Sequence, residues 1–134
     1  MNAWLRSVGS VFAGFMVTVG DSTAADAVMQ AAGIFASSAQ AMSDSLLALA
    51  TSYRALFTVA GGFVTAWLAP NRPMRHVWIL AGIGLLAGWG GLVVFYSFGG
   101  GQLGPAWYAY SIPIEAIPCV WLGGRLASDK RSYK

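Results

Sequence analysis

Four ionisable side chains, Asp21, Asp26, Arg54 and Glu115, stand inside stretches that are otherwise apolar. Three carboxylates around one guanidinium leave an excess of negative charge. In a low-dielectric setting that excess is relieved by protonating a carboxyl, binding a cation or admitting water. These residue types therefore offer either a proton- or cation-binding site or an ion pair that fixes helix register. Spacing narrows the choice. Asp21 and Asp26 are five residues apart, about 140° around a helix, so both cannot point at Arg54. Asp26 shares a face with Ser22 and Gln30, whereas Asp21 stacks with Thr18. Asp26 and Glu115 are thus the expected partners of Arg54, ahead of Asp21. Pro113 and Pro118 flank Glu115; each removes one intrahelical hydrogen bond, which frees the carbonyls of Ala109 and Ile114 and predicts a kinked helix. Freed carbonyls beside a carboxylate are a way in which transporters build ion sites, and proline kinks are also common in inert bundles.

The remaining chemistry is narrow. Cys119 is the only cysteine and His76 the only histidine, so neither a disulfide framework nor a Cys/His metal cluster is expected, and no cofactor is. Cys119 sits in apolar company, which disfavours a nucleophilic thiolate. His76, beside Arg75, reads as a flanking residue that snorkels to an interface. The glycines at 99–101 lack the strand-to-helix setting and the lysine of a phosphate loop. No nucleophile stands with a base, so an enzyme is not expected.

These residues need elements to hold them, and the composition says which. The 134 residues are 57% hydrophobic and 10% charged, too little polar surface to clothe a water-soluble core. A mean hydropathy of +0.60 agrees. A spanning helix needs about 20 mostly apolar residues, and four such runs are expected at about 7–33, 43–69, 76–98 and 107–126. The third is the clearest, with no charge between His76 and Phe98; the first is the weakest, because its outer half is polar. Pro70 and Pro73 break the chain between the second and third runs, and the glycines at 99–101 with Gly104 and Pro105 break it before the fourth. Gly33 is expected to stop the first helix and Ser43 or Asp44 to cap the second. The expectation is one all-α, polytopic four-helix domain over residues 1–134.

Basic residues in short loops stay cytoplasmic. With both termini inside, Arg6, Arg72, Arg75, Arg125, Lys130, Arg131 and Lys134 fall on that side, seven of the eight Lys and Arg. Trp4, Trp67, Trp78 and Trp121 then lie near the inner interface, and Trp107, Tyr108 and Tyr110 near the outer one. The basic balance reports orientation and attraction to anionic lipid, with no nucleic-acid partner implied. A second reading takes Arg6, the apolar run 8–20 and the small residues at 25–27 as a cleavable signal, which would leave three helices. By rises of about 1.5 Å per residue, the four buried charges lie roughly 10–18 Å below the outer ends of their helices. Close helix packing is expected at Gly62 with Ala66, and along Gly84, Gly88 and Gly91, within one chain or between protomers of a homo-oligomer.

The pieces AGF at 13–15, TAADAVMQAAGIF, AGGFVTAWLAP ending at Pro70, RPMRH, GPAWY and IPCVWLGGRL together resemble a group of small bacterial four-helix integral membrane proteins. The resemblance covers nearly the whole length and implies a bacterial inner-membrane, multi-pass protein. Members of that group carry an Asp followed a few residues on by a His in the first segment, whereas here Asp26 is followed by Met29 and Gln30. Any site built on that His is lost. The sequence as a whole predicts a non-enzymatic structural or accessory membrane component, in the lipid bilayer and within a homo-oligomer or larger membrane complex. The alternative is a proton- or cation-linked transporter or channel subunit using Asp21, Asp26, Arg54 and Glu115.

Overall fold

The computed structural model describes residues 2–35, 43–98 and 105–133. It is all-helical: α1 is Ala3–Ala31, α2 Asp44–Leu68, α3 Pro73–Ser97 and α4 Ala106–Ser132. The expected turn at 99–104 and most of the loop at 34–42 lie outside the described residues. Three helices, α1, α2 and α3, are long and apolar enough to cross a membrane. α4 falls short, because Glu115, two prolines and a run of Trp and Tyr dilute its apolar half. The ranking expected for the first and fourth segments is thus reversed.

Local chemistry sets the ends. Gly33 has φ +74 and sits just past the C-cap of α1, where only glycine takes a left-handed backbone without strain. There Ile34 N–H donates to Met29 C=O (3.0 Å) and Gly33 N–H to Gln30 C=O (3.1 Å), the paired bonds of a Schellman turn. Ser43 occupies the N-cap of α2 with an extended backbone, but its side chain makes no capping bond. Pro73 stands in the first turn of α3, where its missing donor costs nothing. α4 runs six residues beyond the expected end at 126. The expectation stopped at the first charges, yet Ala127, Lys130 and Arg131 are all good helix formers outside an apolar solvent.

α2 is the hub. It packs most extensively on α4 and next on α1, while α3 packs mainly on α4; α1 and α3 touch far less. Glycines set these distances. A Cβ on Gly14 of α1 would lie 2.5 Å from the Gly61 carbonyl of α2, and one on Gly61 would lie 2.6 Å from the Gly14 carbonyl. The two backbones therefore cross in direct contact. A Cβ on Gly62 would run into the Val120 carbonyl, and one on Gly123 into the Val59 carbonyl, so α2 and α4 interlock from both sides. A Cβ on Gly88 would lie 2.9 Å from Pro113 of α4, and one on Gly84 an ordinary 3.4 Å from Ala116. Gly91 is a correction: a Cβ there meets nothing within 4 Å, so it belongs to no close contact. The core cluster, Val11, Ala66, Val77, Leu80, Ala81, Val120 and Ala127, is built of small and medium side chains. Large apolar groups such as Trp4, Phe12, Leu86 and Ile114 face outward. That inversion suits a solvent as apolar as they are.

Candidate functional site

Toward the C-terminal end of α1, Asp26 receives two adjacent residues of α2. Arg54 Nη2 forms an ion pair with Asp26 Oδ2, and the Tyr53 hydroxyl donates to Asp26 Oδ1. Tyr53 is in turn stacked on the buried Phe35, ring centroids 6.3 Å apart, which pins the chain leaving α1 against α2. The ion pair is only partly exposed, 24% at Arg54 and 28% at Asp26. The Arg54 Nε is buried and has no hydrogen-bond partner. Thr58 donates back to the Arg54 carbonyl at 2.7 Å and Thr18 to Gly14 at 3.0 Å, the usual way in which hydroxyls satisfy themselves inside an apolar helix bundle.

All four helices contribute to a cavity of about 310 Å³ beside this network. α1 supplies Thr18, Ser22, Thr23 and Asp26, α2 supplies Arg54 and Thr58, α3 supplies Gly84 and Gly88, and α4 supplies Glu115 and Ala116. Among the described residues Glu115 makes no hydrogen bond or ion pair, although it is within electrostatic reach of Arg54. Asp26, Arg54 and Glu115 together carry a formal charge of −1. With Asp26 already serving Arg54, the carboxylate left to hold something is Glu115. Gly84 and Gly88 line the same cavity, and Gly88 lets Pro113 of α4 pack against α3.

Asp21 is not part of this site. It is exposed on the other side of α1, in a groove with Ala24, Ala25, Val28, Met29 and Phe57. The angular separation from Asp26 accounts for this, since turning one acid toward α2 turns the other away. Pro113 and Pro118 do not interrupt α4, which continues as helix through both. Pro113 is buried against Gly88, so its ring serves as packing surface, and Pro118 is exposed. His76 is also a correction: it is 7% exposed rather than at a wet flank, and Nδ1 donates to the Arg72 carbonyl at 3.3 Å. Arg72 itself has φ 39, a left-handed conformation that is strained for a residue with a side chain.

Sequence reasoning missed Tyr53, Phe35 and Thr58, and the glycines at 14, 61 and 123; it set Thr18 beside Asp21, whereas Thr18 lines the cavity with Asp26. Gly123-Gly124 and Gly61-Gly62 were visible as pairs of small residues; what the sequence lacked was the partner of each. Among the described residues no three His, Cys, Asp or Glu side chains come together as metal ligands. Comparison with protein-family models, curated proteins and solved structures finds no match for the chain, and so no family is assigned on that basis.

Proposed function

We propose that the chain is a four-span protein of the bacterial inner membrane, with both termini cytoplasmic, that binds a proton or a cation at Glu115 and acts as a non-enzymatic transport or channel subunit. The single observation that carries this reading is a carboxylic acid that makes no hydrogen bond or ion pair among the described residues and faces a cavity lined by all four helices. A carboxylate kept inside a span without a partner is costly and marks an ion route or binding site. Three apolar helices and an outward-facing set of large hydrophobic side chains support the membrane placement. α4 is read as the fourth span despite its lower hydropathy, because Glu115, the one acid in its apolar half, lines the cavity. The asymmetry of Lys and Arg supports the orientation.

A structural reading rests on a different observation. The Asp26–Arg54–Tyr53 network ties α1 to α2 and needs no ligand to do so. Protein in liposomes under pH and cation gradients separates the two. On the transport reading the parent carries a flux that Glu115→Gln abolishes while the variant unfolds like the parent. A parent that is silent under every gradient leaves the scaffold role standing.

A further inference from the structure

The weak contact between α1 and α3 leaves a seam along the bundle, and two different spaces occupy it. The outer one is the polar cavity at Glu115 and Arg54. The inner one, about 480 Å³, is walled by Val8, Val11 and Phe12 of α1 and by Ile79 and Ile83 of α3, with scarcely any polar surface. Phe15 lines both and is the one residue they share. The seam is therefore amphipathic along its length, with an acid and an unpartnered Arg54 Nε at the outer end and hydrocarbon at the inner end. An inorganic ion would use only the first half of that shape.

We propose that the α1–α3 seam binds an ammonium-headed amphiphile, its head against Glu115 in the outer cavity and its hydrocarbon tail laid past Phe15 into the inner groove. The proposal rests on the cation-site reading and names the class of cation. Charge complementarity selects the head: Asp26 and Arg54 neutralise each other, so the unpaired Glu115 carboxylate calls for a cation, and an ammonium is a compact donor that suits a single carboxylate. The tail follows from continuity. A head seated at Glu115 directs its chain along the seam, where the side chains flanking Phe15 are apolar and the groove is open to the lipid from which such a molecule would enter.

The test uses the full-length protein in phosphatidylglycerol nanodiscs, which contain no ammonium group, and a dodecylammonium probe with a photoreactive diazirine near its tail end. Labelling concentrated on residues 8–12 and 79–83 is the expected result. Glu115→Gln should lower that labelling about tenfold, the loss of one charge-assisted hydrogen bond. The double variant Val8→Trp, Ile79→Trp, which fills the groove from positions already exposed, should lose the label and keep any Glu115-dependent cation flux. Labelling spread evenly over all outward-facing helix surfaces, or unchanged in Glu115→Gln, overturns the proposal. Ethylammonium, which has no tail, separates this failure from that of the site. If it binds in a Glu115-dependent way while the long probe labels evenly, the cation site stands and the amphiphile is wrong. If neither probe depends on Glu115, both readings fall.

Discussion

At Asp26 two neighbouring side chains of α2 converge on one carboxylate, an arrangement that gives each donor a different value. Arg54→Ala leaves an acid in the bundle without its counter-charge. A fully dry pair would cost about 3–5 kcal/mol to break, and the partial exposure of this one lowers the expectation to about 2 kcal/mol. Tyr53→Phe removes a single hydrogen bond and should cost about 1 kcal/mol. Unfolding both variants in detergent gives the comparison, and an Arg54→Ala protein as stable as the parent would mean that water serves the carboxylate. The sequence narrowed the partner of Arg54 to Asp26 or Glu115, because depth and the 3.6-residue period turn Asp21 away, but it did not choose between the two. Tyr53 could not. A tyrosine in an apolar segment has many uses, and only the neighbouring helix determines that its hydroxyl meets a carboxylate.

Between helices, glycine performs two opposite tasks in one chain. Gly14→Ala puts a methyl group against the Gly61 carbonyl, and rigid backbone cannot yield as a side chain would. A cost of about 1–3 kcal/mol is expected from overpacking at that crossing. Gly91→Ala fills open space and should stabilise α3 by up to about 1 kcal/mol, the ordinary helix preference for alanine. Thermal unfolding of the two variants side by side should move in opposite directions; equal shifts would remove the glycine crossing as an organising contact. Four helices were legible in the sequence because apolar length and proline breaks are local signals. Which glycines touch was not, since a small residue every four positions marks a smooth face without naming its partner. Gly91 continued such a stripe and faces nothing, while Gly14, on a stripe with Ser10, Thr18 and Ser22, crosses Gly61 of α2 backbone to backbone.

For the molecule as a whole, the proposed topology puts Lys134 and the segment near Gly100 on opposite sides of the membrane. Reporter fusions at the two positions should localise to the cytoplasm and to the outer face respectively, and both on one side would refute a four-span arrangement. The C-terminal end of α2 has its own fastening. Arg131 Nη1 donates to the Ala66 carbonyl at 2.8 Å and to the Ala69 carbonyl at 3.0 Å, closing the C-terminus of α2 with a charge of the sign its dipole prefers. Arg131→Gln should lower stability by about 1 kcal/mol, with Arg131→Lys intermediate because it offers a point charge in place of a planar fork. The same clasp dictates an order of assembly on the ribosome. Ala66 and Ala69 leave the exit tunnel some sixty residues before Arg131 does, so through the synthesis of α3 and most of α4 their carbonyls lack this donor. α2 is therefore made early but finished last, by the final turns of α4, and a nascent chain stalled before residue 131 carries a bundle whose central helix is still open at its C-terminal end.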